Sequence, residues 1–565
     1  MIAASDSVRP TIDEPSKLVG VTPATAARDR VRLLYALEQV FPVRFQAREP
    51  EDLTGLDGLL VIAPAQLHEW HVPVDDLGGQ PGACPRLVAF PQAADSLGER
   101  TVIEFAGDAQ ILRPLREQKL TQEYGRPAPV PLAFLDSDSV LAAVAGKRLW
   151  WRRRDGSTWV HFSAFCPEEL GEYEALRDHL RIGRFMGLIP LLHLLRHVCG
   201  ELDWCEQPLK ASFVIDDPNL HRTSYGFLDY SEMVAHARRH GYHVALATVP
   251  LDGWLANRRP VALVKENSAS ISLLMHGNDH VAGELGRLLD DRKAETALAQ
   301  ALRRVASFER RSGVVVERMM VPPHEVCSTY ALKAMFRLGF DGACIGRRHP
   351  WHDQLPVSSQ PPWTLLKWHP ADVVEGLPIL PRYPLHRSWE DLVLRALLRQ
   401  PLILFAHHWD FSHGLDVLAQ AADYINDLGE VHWGSVGRLA RENFLTRRAG
   451  RAQIVQMHCV GATVEIPADV DVLEVRTPSS CGEGPERHLA CGASQVAMAR
   501  GASEWTSGAL HVVPGARLKL RLISDAPLDP VHTPVRHGTP WPMLRRALVE
   551  GRDRARPLSR KLSGR

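Results

Sequence analysis

Two adjacent carboxylates, Asp216 and Asp217, follow the apolar run Phe213-Val-Ile215 and precede Pro218. Apolar residues bounded by proline read as a short buried strand, so both acids stand at a strand end, and residues leaving a strand point in different directions. One carboxylate can therefore hold a metal while the other faces a substrate. An Asp-Asp-Pro turn is the plainer reading of the pair alone. Downstream, His276-Gly-Asn-Asp-His280 starts directly after the apolar run Ile271 to Met275. On a helical turn, side chains four apart share a face, and the two imidazoles would converge on one cation. Two His with one Asp are an ordinary nitrogen and oxygen ligand set for a catalytic metal with open positions. In a chain with 26 His such a pair also arises by chance. Val321-Pro-Pro-His324-Glu325 is a third constellation at an expected strand end, where two prolines stiffen the turn. A rigid loop with a surface His is its bland alternative. The run Leu402 to Ala406 then delivers His407, His408, Trp409 and Asp410. A buried strand rarely ends in so many functional side chains for packing alone. Together these groups suit metal-assisted attack of water on an amide or ester, with a carboxylate as base and an imidazole as acid.

The elements that must position them alternate regularly from about 205 to 445. Strands are expected at 213–215, 243–249, 271–275, 314–321, 342–345 and 402–406, and helices near 230–239, 287–310, 328–337 and 415–427. Such alternation implies a parallel sheet with covering helices, closed or nearly closed into a (β/α) barrel with its functional residues at the carboxyl ends of the strands. The fold class is thus α/β, with further domains on both sides. Residues 1–28 are rich in Ser, Pro, Thr and Ala and read as a disordered lead. Residues 29–204 read as an N-terminal α/β domain to which no chemistry can be assigned. Residues 450–525 are short β runs broken by Gly, Pro and Asp, a β-sandwich pattern. In the segment 526–565, the last thirty residues hold nine basic and two acidic side chains, which reads as a basic, solvated and disordered tail.

The order Asp216-Asp217, His276-x-x-x-His280, the Pro322-Pro323 turn and His407 after an apolar strand resembles the polysaccharide deacetylase family (NodB-homology, carbohydrate esterase 4), in its divergent branches, over about residues 208–440. The resemblance implies a deformed (β/α) barrel. It implies Asp216 as general base, Asp217, His276 and His280 as ligands of a divalent ion such as zinc, and His407 as general acid. Asn219, Pro323, His324 and Glu325 are expected to bind substrate, as are Arg382, His408, Trp409 and Asp410. Three departures stand out. Gly277 occupies the place of the family's Ser or Thr, and Val321 and His324 stand where the family has Arg and Tyr around its proline. Arg382, in Leu380-Pro-Arg-Tyr-Pro384, could supply the absent charge from another loop. The activity implied is deacetylation of an N-acetylated sugar or polysaccharide. The alternatives are a cytoplasmic hydrolase of a small cyclic amide and a non-catalytic carbohydrate-binding or assembly protein on a degenerate barrel.

Composition bounds these readings. The 565 residues are too many for one core. Lys+Arg 66 against Asp+Glu 66 gives no net field to recruit nucleic acid. The most apolar run, Phe185 to Leu195, is about half the length that spans a bilayer and reads as a buried helix. The polar N-terminus has no secretory core, and nine scattered cysteines make no disulfide framework, so the reducing cytoplasm is the expected compartment.

Overall fold

Seven short strands pair in parallel and close on themselves. They are β1 (Leu209–Asp216), β2 (Val244–Thr248), β3 (Ile271–Met275), β4 (Val316–Met320), β5 (Gly342–Ile345), β6 (Leu377–Pro384) and β7 (Leu402–His407). Each pairs with the next, and β1 pairs with both β2 and β7, which completes the barrel. This computed structural model describes residues 12, 16–63, 84–91, 97–124, 127–128, 130, 135–172, 174–346, 370–386, 389–478, 486–501, 504–535 and 540–563.

Barrel strands are buried on both faces, so alternation sorts side chains between two apolar compartments. Val214, Ala245, Leu274, Met319, Cys344, Leu380 and Ile403, one from each strand, form a separate buried cluster, which is the filling of the barrel. Phe213, Leu246 and Leu404, of the opposite parity, join the larger core under the helices. The covering helix Asp291–Ser312 begins where the Asp290 carboxylate accepts from the Lys293 N–H and stops at Gly313, which takes φ 68°. It turns Ala294, Leu298, Leu302 and Val305 inward. Two positions beyond the barrel filling, the same inward parity delivers Asp216 after Val214, His276 after Leu274 and Arg382 after Leu380. His407 follows Phe405 in the same way. The rule that builds the core thereby aims the chemistry.

Several expectations need correction. The segment around Arg382 is strand β6 and not a loop; Pro378, Pro381 and Pro384 hide it, since proline gives no N–H to a ladder. Within 1–28, Lys17–Thr22 is a strand paired with Val43–Ala47 and Gly58–Ile62 in a nine-stranded sheet, and Ala24–Arg28 is helical. Leu18-Val-Gly-Val21 carries the β signal there, masked by its polar surroundings; residues 1–11 and 13–15 lie outside the described residues. The C-terminal β domain has two sheets, of five and four strands, and starts earlier than expected, at Phe444–Ala449. Its last two strands, Glu504–His511 and Arg517–Ser524, are separated by a turn in which Gly515 takes φ 74°. Most consequentially, the expected disordered tail contains a helix, Trp541–Ser563, laid on the barrel mouth. No helix among the described residues is long and apolar enough to cross a membrane.

Candidate functional site

Asp216, at the end of β1, is buried, and one Arg382 nitrogen donates to both its oxygens at 2.8 and 2.9 Å. Arg382 is itself buried, lies 4.1 Å over the Phe405 ring and approaches Glu325 at 3.3 Å. Strand β6 thus delivers a guanidinium to Asp216. Glu325 serves as its second carboxylate and is itself buried. Asp217 follows with φ 76°, a left-handed turn that Asp tolerates better than most residues. That turn swings its carboxylate sideways, out of the strand's alternation.

The two imidazoles meet Asp217 there. Its Oδ1 lies 3.0 Å from His280 Nε2 and 3.6 Å from His276 Nε2. One ligand atom from each of the three residues falls within 4.8 Å of the others, and among the described residues this is the group so arranged. His276 Nδ1 sits 2.9 Å from the Val321 carbonyl, a bond that fixes Nε2 as the face turned to Asp217. Burial pushes the His276 imidazole down to about 4, against the pull of Asp216 and Asp217, so it stays neutral. Burial pushes Asp217 the other way, but the imidazoles of His280 and His276 and the Arg546 guanidinium outweigh it and hold the carboxyl well below the usual range. Asp217 Oδ1 and His280 Nδ1 are buried without a hydrogen-bond partner. A buried carboxylate oxygen facing two imidazole nitrogens without hydrogen-bond geometry is the arrangement a shared cation would satisfy, so the residues fit a divalent ion.

The segment His276 to His280 is a loop rather than a helical turn. The Glu284 carboxylate accepts from the N–H groups of Asn278, Asp279 and His280, at 2.6 to 3.1 Å, and the chain wraps around it. Gly277 takes φ 68°, and a Cβ there would stand 2.2 Å from Glu284 Oε1 and 2.7 Å from Pro323. That explains glycine where Ser or Thr was expected, and it makes Pro323 a buried wall of the loop.

His407 is the register partner of Asp216 across the β1–β7 pair, on the barrel's inward parity. Its ring stacks on Trp409 at 4.2 Å with planes 10° apart, and Trp409 is 41% exposed. Asp410, expected to bind substrate, accepts from the His407 backbone N–H at 2.7 Å and so caps the turn. His408 is fully buried beside Tyr225 and Phe227, 3.7 Å from Asp553, and does not face the mouth. Asn219 is buried too; its side chain accepts from the His221 N–H and from Arg554, and its carbonyl from the Tyr230 hydroxyl. His408 and Asn219 were expected to touch substrate and instead hold the scaffold. His324 is exposed, with its ring 5.5 Å from that of His280.

Sequence reasoning missed the C-terminal helix. Arg546 is buried, donates to Asp252 at 2.5 Å and to the Asp217 carbonyl at 3.3 Å, and stands 3.7 Å from Asp217 Oδ1. Arg545 donates to the His280 carbonyl. Glu550 meets His221 at 2.7 Å, and Asp553 accepts from the Tyr225 hydroxyl at 3.0 Å. The spacing of Arg546, Glu550, Asp553 and Arg554 on one helical face was the available signal.

No family model and no curated protein matches this chain. Solved structures do, among them carbohydrate deacetylases and esterases. The crystal structure of the carbohydrate deacetylase Agd3 aligns over 90% of this chain and 99% of its own, at 10% identity and a TM-score of 0.45. A family 4 carbohydrate esterase from Streptomyces lividans covers 41% of this chain and 94% of its own, at 12% identity and 0.24. A 4-alpha-glucanotransferase from Thermococcus litoralis covers 41% of this chain and 40% of its own, at 12% identity and 0.28. The barrel rests on its own strand order and the site on its own distances.

Proposed function

We propose that this chain is a metal-dependent hydrolase of amide bonds that deacetylates an N-acetylated sugar or polysaccharide. The observation that carries the reading is the convergence of Asp217, His276 and His280 beside a separate buried carboxylate, Asp216, at the carboxyl ends of the barrel strands. A bound divalent ion, zinc or a similar one, would supply Lewis acidity toward a carbonyl and toward water. Asp216, oriented by Arg382, takes the proton from the attacking water. His407 stands across the strand pair and gives a proton to the departing amine. Trp409, stacked on His407 and 41% exposed, adds apolar surface beside the candidate acid, which suits a sugar ring. Glu325 and Asp410 act through Arg382 and the His407 turn, not on substrate.

The test is metal content after dialysis together with acetate release from N-acetylated oligosaccharides. Wild type is expected to hold about one equivalent of divalent metal and to release acetate, and His276→Ala to do neither. Metal held equally by both proteins would overturn the ligand assignment. Metal without acetate release would leave the binding-protein alternative standing.

A further inference from the structure

At the opposite end of β1 from Asp216 lies a cavity of about 550 Å3, between the foot of the barrel and the four-stranded sheet of the C-terminal domain. Its walls carry six cations, Lys210, Arg438, Arg441, Arg517, Lys519 and Arg521. Arg517, Lys519 and Arg521 alternate along one strand and are all exposed, while Leu520 and Leu522 between and beyond them turn into the sandwich core. Lys210 and its register partner His432 face them from the barrel side.

Acids neutralise only part of this charge. Glu442 pairs with Arg438 at 2.8 Å and with His432 at 3.3 Å. Asp341 lies 3.1 Å from Arg441 and 3.7 Å from Arg521. Among the described residues Arg517 and Lys519 make no ion pair, even with Glu465, the register partner of Arg517. The Lys210 ammonium donates to Gln207 at 2.9 Å, and burial pushes it down to about 8. Six cations against Glu442 and Asp341 is an excess of four on the wall of one cavity. Like charges held this close in a partly dry cleft repel one another and focus a positive potential, which a bound anion relieves.

We propose that this cavity binds a small phosphorylated ligand, a compact anion of two or more negative charges on an apolar body, at a site separate from the barrel mouth. The volume lies within the range of small-molecule sites, roughly 300–1,000 Å3. Guanidinium forks suit phosphate oxygens, and Phe444 gives apolar surface for the rest of the molecule. A cleft of this volume in a chain without net charge fits a small ligand better than a nucleic acid backbone, which needs a long basic stripe. Six residues of extended strand place Lys210 about 20 Å from Asp216, so occupancy of the foot and of the mouth are separate events.

The test is calorimetric titration of the full chain with inorganic pyrophosphate at low salt, comparing wild type with Lys519→Glu and Arg517→Glu. Wild type is expected to bind at one saturable site, and each reversal to weaken binding tenfold or more, with unfolding temperature and metal content unchanged. Lys519→Gln, which removes charge without adding any, should fall between. Glucose 1-phosphate and uridine monophosphate, titrated in parallel, distinguish a sugar from a nucleoside as the body that carries the phosphate. Absence of saturable pyrophosphate binding overturns the proposal. So does equal affinity in wild type and both reversals, because binding at the mouth would survive them.

Discussion

The two ends of strand β1 handle charge in opposite ways. At the mouth nearly every charge has a partner: Asp216 with Arg382, Asp252 with Arg546, Glu550 with His221. At the foot, Arg517 and Lys519 are left with none among the described residues, and Lys210 holds only an amide. Paired, buried charges fix geometry before a reaction begins, which is what a catalytic site needs. Clustered charges left to solvent repel one another, and a bound anion would relieve that repulsion. The exception at the mouth is Asp217, whose Oδ1 has two imidazoles and a guanidinium nearby and no hydrogen bond. That open oxygen is where the proposed cation would sit.

Substitutions can break this contrast, and the largest effect is expected on rate. Asp216→Asn keeps the shape of the mouth, removes the base and leaves the metal ligands alone. Its turnover of N-acetylated oligosaccharide should fall by about two to four orders of magnitude, the usual worth of general base catalysis. Metal content should hold and pyrophosphate binding at the foot should not change. Loss of metal in this variant would make Asp216 a ligand and not a base.

Next in size is the stability of the mouth. Arg546→Met fills the same space without charge and strands the buried Asp252 carboxylate. Breaking a buried pair from one side costs about 3–5 kcal/mol, so a thermal melt should show the barrel transition at clearly lower temperature. An unchanged melt would mean that the mouth is not held by pairing, and the contrast with the foot would fail.

The smallest effect is a pH dependence. Glu550 and Asp553 are each held down to about 2: burial raises them, while His221 and Arg554 lower Glu550, and His408, Arg552 and Tyr225 lower Asp553. A carboxyl with a depressed folded value stabilises fully above its unfolded value, near 4.5 for Glu and 3.8 for Asp, and loses that contribution as pH falls toward 2. Hydrogen exchange in Trp541–Ser563, corrected for the intrinsic rate, should therefore show the helix loosening between about pH 4.5 and 2. Constant protection across that window would remove these carboxylates as its anchors.

Most of the barrel is legible in the sequence because a strand buried on both faces must be apolar throughout, and six such runs lie between helical periods. The seventh, β6, is not, because its three prolines carry the opposite signal and only its neighbours make it a strand. The carboxylates and imidazoles at strand ends were legible as types at spacings. Which of them face inward was not. His408 differs from His407 by one position in a chain whose two faces are both buried, and contact with Tyr225 and Asp553 decides it. The C-terminal helix was hidden for a related reason. Its buried face is charged, and a charged face reads as solvated unless its partners are known. Those partners, Asp252, His221 and Tyr225, lie about 300 residues earlier.

That separation has a consequence for synthesis. Arg546 is 329 residues downstream of Asp217, so the ribosome delivers the whole barrel before the helix that neutralises its mouth. From His407, which ends the last barrel strand, to Arg546 is 139 residues, roughly 7–28 s at about 5–20 residues per second. During that time the nascent barrel carries Asp217, Asp252 and the two imidazoles without their guanidinium.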